Sequence, residues 1–319
     1  PQGWILDLVD IEDPVEQFET MVRVTRRAEG LGFDSVWLFD HFHTYHRPVL
    51  ETTFEAWTST AALARETSRI RIGQMVTANS YRNPALLAKM ASTVDVMSRG
   101  RLDFGIGAGW YEHEYRAYGY DFTPVGTRLR MLDEALQVFH AMWREPYASF
   151  AGEFYRIEGA INEPKGVQAP HPPIWVGGSG ERVTLRLAAQ YADATNFGGH
   201  LDDMGWFRHK FDVVRRHCEA IGRDPDDLIR SANVETTLLR GTDDPEIVTR
   251  RYRRDESLEE YRRHAVVGGP QEVIDTYGRL VDAGVDYIIV ADVPGLATGD
   301  VVDAIAADVL PAFEALRAG

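Results

Sequence analysis

Along the chain, short runs that are apolar on both faces alternate with longer stretches whose apolar residues recur at helical spacing. The short runs are Trp4–Val9, Ser35–Phe39, Ile70–Val76, Leu102–Gly107, Ile174–Val176, Ala194–Phe197, Ile229–Thr237 and Tyr287–Ala291. Each is read as a strand. Helix starts between them are marked by a cap residue ahead of a proline at the first helical position: Asp13-Pro14 with Glu16, Asn83-Pro84, Asp244-Pro245 and Gly269-Pro270. Leu129, Leu132, Leu136, Phe139 and Trp143 form the buried stripe of one helix, and Val15, Phe18, Val22 and Thr25 that of the first.

Strands apolar on both sides and joined by helices predict parallel pairing with helices outside, and eight such units close a (β/α)8 TIM barrel. A doubly wound sheet is the second reading. From Arg144 to Pro173 the helical period stops, and Ser149-Phe150 with Phe154–Ile157 around Ala151-Gly152-Glu153 predict a small hairpin inserted before the fifth strand. No composition shift or low-complexity tract divides the 319 residues, so a single domain over 1–319 is expected.

Composition narrows the function classes. A formal charge of −15, from 34 basic and 49 acidic side chains, opposes nucleic acid and anionic membrane surfaces as partners. No run approaches the ~18 uninterrupted apolar residues of a membrane span, and no signal-peptide pattern is visible, so a cytoplasmic location is expected. The single cysteine, Cys218, lies in a charged helical pattern beside His217 and is read as an inert thiol.

In a barrel of this kind the chemistry sits on loops after the carboxyl ends of the strands. There the sequence carries Asp40-His41-Phe42-His43-Thr44-Tyr45-His46, Thr77-Ala78-Asn79-Ser80-Tyr81-Arg82 and Ala108-Gly109-Trp110-Tyr111-Glu112-His113-Glu114. The run Gly177-Gly178-Ser179-Gly180-Glu181-Arg182 offers amides and a positive helix end to a phosphate. An imidazole near neutral pH, polar backbone for a flat ligand and an anion cradle describe a phosphorylated planar cofactor. Gly105–Gly109 is a weak dinucleotide-loop signal, because its third glycine falls one place early. His41-Phe42-His43 also admits a metal-dependent hydrolase of barrel fold, with Asp292 as its other matching ligand, but further ligands at the middle strand ends are missing. A cofactor carrier without catalysis is the third class.

Four blocks in order resemble one family. Phe33–Trp37 leading into Asp40–His43, then Tyr81–Lys89, Gly100–Gly119, and His171–Gly178 are similar to the signatures of the luciferase-like flavin and deazaflavin oxidoreductases, within them the group that uses coenzyme F420. The resemblance implies a (β/α)8 barrel with an insertion before the fifth strand. It implies that Asp40 and Thr77 hold the deazaflavin and that Gln74-Met75 forms a non-prolyl cis peptide behind its ring. It further implies that Ala108, Gly109 and His113 line the cofactor and that Gly177, Gly178, Gly180 and Glu181 meet its phosphate region. His41 becomes the proton donor or acceptor, with Tyr45 beside it. Trp110 stands where the sugar-phosphate dehydrogenases of the family place a glutamate, which implies an apolar or aromatic small-molecule substrate. The expected activity is hydride transfer at the deazaflavin C5, with an FMN-dependent monooxygenase as the alternative; no metal is expected, and a homodimer is. Arg82, Arg182 and Lys165 are the basic groups expected to receive an anionic ligand on this acidic chain.

Overall fold

The structure is a computed structural model describing residues 1–45 and 47–314; His46 lies outside them. The first helix, α1 (Pro14–Gly30), starts at Asp13, whose carboxylate accepts from the Val15 amide at 3.0 Å. Its chain then runs through β1 (Ser35–Leu38), α2 (Ala56–Glu66), β2 (Arg71–Gln74), β3 (Thr77–Ala78), α3 (Pro84–Ser98) and β4 (Leu102–Gly107). A short α4 (Glu112–Ala117) precedes the long α5 (Val125–Arg144). The antiparallel pair β5 (Ala148–Ala151) and β6 (Arg156–Ala160) follows, with Phe150 opposite Ile157. Then come β7 (Ile174–Gly177), α6 (Thr184–Tyr191), β8 (Ala194–Gly198), α7 (Met204–Ala220) and β9 (Ile229–Leu238). Three short helices, α8 (Pro245–Val248), α9 (Arg250–Arg253) and α10 (Leu258–Tyr261), lead to β10 (Ala265–Gly268), α11 (Pro270–Asp282), β11 (Tyr287–Ala291) and α12 (Asp300–Asp308).

The strands form a curled parallel sheet in the order β1-β2-β4-β7-β8-β9-β10, with β3 on β4 and β11 on β9. Parallel pairing requires crossovers, and the helices supply them while covering the outer face. The main core lies between sheet and helices: Phe104 of β4 packs edge-on against Phe139 and Trp143 of α5, with ring centroids 4.9 and 5.1 Å apart. The expected stripe on α5 is buried at Leu132, Leu136, Phe139 and Trp143. On α1 the stripe holds at Val22 and Thr25, but Val15, in the first turn, is exposed.

Three strand readings change. Trp4–Val9 is not a strand but a series of turns, in which the Asp7 carboxylate accepts from the amides of Gly3 at 2.7 Å and Gln2 at 3.0 Å. β1 and β11 are not paired with each other among the described residues, and a cavity of about 910 Å³ lies there, lined by Trp4, Trp37, Met75, Tyr287, Ile289 and Asp292 among others. β10 was not anticipated. The predicted strand Ile70–Val76 is split after Gln74, which still pairs with Leu38, by a cis peptide at Met75–Val76, one bond later than expected. Val76 packs where side chains are absent: a Cβ added at Gly107 or Gly177 would come within 2.9 or 2.8 Å of its methyl groups, so glycine is required there for close approach.

Candidate active site

His41 follows β1 and is 8% exposed. Its Nδ1 lies 2.8 Å from Oε2 of Glu114, a fully buried residue of α4. The same carboxylate accepts from the Phe42 amide at 2.7 Å, the His43 amide at 3.3 Å and the Tyr81 hydroxyl at 3.0 Å. Glu114 and Tyr115 point inward while Glu112 and His113 face out, so one short helix presents a single carboxylate to the loop after β1. Tyr81 and Tyr115 pack with Phe42, Tyr120 and Phe122 into an aromatic plate that supports it.

Burial alone would raise the Glu114 pKa, but hydrogen bonds from His41, the Phe42 amide and Tyr81, with the charge of His41, outweigh it and hold the carboxyl below its usual range. Burial and the adjacent Glu114 carboxylate push the Tyr81 hydroxyl far above its usual value, so Tyr81 stays a donor. His41 is further enclosed by rings. Trp4 stacks on one face with centroids 4.8 Å apart, and Trp110 and Tyr111 meet it edge-on at 5.7 and 5.8 Å. Tyr45 stacks on Trp4 at 5.1 Å and carries the Arg254 guanidinium over its ring at 4.7 Å. Burial raises the Tyr45 hydroxyl's pKa, with Arg254 opposing. Trp110 is 54% exposed and so forms the outer wall. Such a box suits apolar, flat groups and encloses one imidazole.

The structure brings His41, Tyr45 and Trp110 together and adds Glu114, Tyr81 and Tyr111, which the sequence places in strand-end loops without a role of their own, and Trp4, which it places in a strand. Glu114 carried one usable signal: a carboxylate beside an aromatic in a strand-end loop already rich in His and Trp.

Other expected residues are engaged differently. Both Asp40 oxygens are held by Arg82 at 2.7 and 2.9 Å, and one also accepts from the Ala78 amide at 3.0 Å. Arg82 also pairs with Glu55 at 2.5 Å, so it is neutralised within the fold and is not the free cation expected. Lys165 is likewise occupied, by the carbonyls of Met142 and Glu145. Arg182 is exposed beside the Gly178–Gly180 loop. Gln74 donates to the Thr60 hydroxyl of α2 at 2.9 Å, which turns it outward, whereas Met75 packs inward with Ile289 and Ala291. Thr77 is buried and accepts from the Trp57 indole at 3.1 Å. His113 bonds His43 through Nδ1 and Nε2 at 3.0 Å, and Gly109 lies beneath the Tyr115 hydroxyl with φ +76°. Ala108 packs against the main core.

After β7, the Gly178 amide donates to the Asn196 carbonyl at 2.8 Å, and α6 begins only at Thr184, past the expected cradle at Gly177, Gly178 and Gly180. Glu181 is paired with Lys210 at 2.6 Å and His209 at 3.0 Å, which hold its carboxyl below its usual range. It therefore ties this loop to α7. The His-x-His of the hydrolase reading is divided: His41 bonds Glu114 and His43 bonds the Thr44 carbonyl and His113. Among the described residues, no group of three or more His, Cys, Asp or Glu side chains is placed to hold a metal, and no helix is long and apolar enough to cross a membrane.

Residues 5–254 match the luciferase-like monooxygenases. The chain belongs to that family. An F420-dependent glucose-6-phosphate dehydrogenase from Intrasporangium calvum is 27% identical over 94% of this chain and 97% of its own. An uncharacterised protein of Mycobacterium tuberculosis is 32% identical over 54% of this chain, which spans 66% of that relative's length. An FMNH2-dependent dimethylsulfone monooxygenase from Pseudomonas putida is 31% identical over 44% of this chain and 38% of its own. The fold is also that of an F420-dependent secondary alcohol dehydrogenase crystallised with an F420-acetone adduct, at TM-score 0.79 and 21% identity, over 94% of this chain and 95% of that one. Luciferase-like relatives thus include both deazaflavin and flavin enzymes.

At the strand ends the luciferase-like chain has buried polar atoms without hydrogen-bond partners among the described residues: Asn79 Oδ1 after β3 and Asp292 Oδ1 after β11. Such atoms are costly when unmatched. Asp292 lines the cavity between β1 and β11, where the polar edge of a ligand would satisfy its oxygen, and in that respect the residues present fit a deazaflavin or flavin.

Proposed function

We propose that the chain is a coenzyme F420-dependent oxidoreductase acting on a small apolar or aromatic substrate. The sheet is taken as that of a (β/α)8 barrel, with β5–β6 an insertion ahead of β7. When bound, the deazaflavin supplies the hydride donor or acceptor at its C5. The observation that carries the reading is the His41–Glu114 contact inside an aromatic box. In reduction, His41 gives the proton that accompanies the hydride; in oxidation it takes the substrate proton. Trp4, Tyr45, Trp110 and Tyr111 exclude water and hold the apolar substrate against the imidazole. Met75, Ala108 and Gly109 are assigned to the cofactor, as are Gly177, Gly178 and Gly180; Asp40 and Thr77 serve by shaping the loop after β3.

The alternative is an FMN-dependent monooxygenase, and the FMNH2-dependent relative supports keeping it. Parallel fluorescence titrations with F420 and FMN decide between them. Micromolar or tighter binding of F420 with little of FMN is the expected result; the reverse moves the chain to the flavin monooxygenases, and binding of neither ends both readings.

A further inference from the structure

We infer that Glu114 is a positioning residue that fixes His41 as the Nδ1–H tautomer, leaving Nε2 as the nitrogen that exchanges protons with substrate. The inference rests on the functional reading above for its catalytic consequence, but the tautomer itself follows from hydrogen-bond accounting. Oε1 of Glu114 faces two backbone amides, Phe42 at 2.7 Å and His43 at 3.3 Å, and amides only donate. Oε2 faces the Tyr81 hydroxyl at 3.0 Å and His41 Nδ1 at 2.8 Å. Two amides on Oε1 and the Tyr81 hydroxyl with His41 on Oε2 hold this carboxyl below its usual range, so the buried group is a carboxylate that accepts at both oxygens. His41 must then carry hydrogen on Nδ1.

The ring cannot easily turn away from this arrangement. Trp4 lies flat on it, 3° from parallel, and Trp110 and Tyr111 stand across it. Among the described residues no group bonds Nε2, so the remaining nitrogen is the one open to the box. As an acid, the doubly protonated ring gives up the Nε2 proton and the Nε2–H bond breaks. As a base, the Nε2 lone pair takes the substrate proton. In both directions Nδ1–H stays on Glu114, whose negative charge faces the imidazolium.

The test is ¹⁵N NMR of the imidazoles in uniformly labelled, cofactor-free protein, with His41 signals assigned by their loss in His41→Ala. The expected neutral form of His41 is Nδ1–H in the native chain. In Glu114→Gln the side-chain amide keeps an acceptor for the two backbone amides but presents a donor to Nδ1, so His41 switches to Nε2–H and kcat falls by roughly 10²-fold or more while KM changes little. Glu114→Asp, which keeps the charge, restores part of the loss. A native Nε2–H tautomer overturns the inference, as does a Glu114→Gln protein with unchanged tautomer and kcat. Should Glu114→Gln fail to fold, the native spectrum alone decides. Because that spectrum needs no cofactor, binding of FMN in place of F420 leaves this result intact and defeats only the functional reading.

Discussion

The Trp4 indole lies parallel to the His41 imidazole within 3°, their centroids 4.8 Å apart, so the segment before α1 clamps the residue assigned to proton transfer. Replacing His41 with Ala removes the proton carrier and leaves the rings around it. Turnover is expected to fall by roughly 10²–10⁴-fold, with F420 affinity within a few-fold of native by the same fluorescence titration. Unchanged turnover removes His41 from the mechanism.

Trp110 tests the substrate class separately. It meets both His41 and Tyr45 edge-on, at 5.7 and 5.0 Å, and is the exposed wall of the box. Trp110→Ala should raise KM for an apolar substrate roughly tenfold, equivalent to about 1.4 kcal/mol, with a smaller change in kcat. A kcat loss as large as that of His41→Ala, with KM unmoved, would instead give Trp110 a part in the chemical step.

Asp40 is tied into the fold by an ion pair. It links Arg82 to the Ala78 amide, and Arg82 in turn reaches Glu55 at the start of α2. Burial lowers the Arg82 pKa, but Asp40 and Glu55 more than reverse this, so the guanidinium stays charged. Asp40→Ala leaves that buried charge short of its main partner and should cost about 3–5 kcal/mol in urea unfolding. A stable Asp40→Ala protein that has lost F420 binding would return Asp40 to the cofactor.

Why some of this was legible and some not follows from the range of the interactions. The caps at Asp13, Asn83 and Asp244 are contacts within two or three residues, and each forms as the sequence implies. Trp4–Val9 has the apolar content of a strand, yet Asp7 draws the preceding amides into turns, a local competitor that hydrophobic pattern does not register. The run Ala265–Gly268 is four residues long and abuts the Gly269-Pro270 helix start, so the cap hid the strand. Glu114 and His41 stand 73 residues apart in the chain. Their loops were each recognisable as chemical, but which carboxylate meets which imidazole is decided by the tertiary fold.

Asp292 follows β11 with φ +48°, and burial raises its carboxyl pKa well above the usual value, the charges of Glu235 and Asp7 adding to this and Arg254 opposing. An acid whose folded pKa is raised destabilises the fold as pH climbs above its unfolded value of about 3.9. Asp292→Asn mimics the protonated group and tolerates the left-handed backbone. It should raise Tm at pH 8 by on the order of 2–4 °C, with the difference vanishing near pH 4. A lower Tm at pH 8 would show that the ionised carboxylate is the stable form.

His264 carries the opposite sign. Its Nδ1 is 3.7 Å from Glu235 and its Nε2 is 2.8 Å from Glu256. The Glu235 carboxylate raises its pKa most, burial opposes, and the hydrogen-bonded Glu256 adds to the rise, giving about 9 against an ordinary 6.5. The folded state therefore binds this proton more tightly than the unfolded chain, so the stabilisation is complete below pH 6.5 and is lost as pH rises through about 9. His264→Gln keeps a similar volume and removes the charge. Its Tm should fall below that of the native protein by a few degrees at pH 6, and the two melting curves should converge above about pH 9. A gap of constant size across that range would mean that His264 contributes through packing on Tyr261, whose ring meets it edge-on at 5.2 Å, and not through its charge.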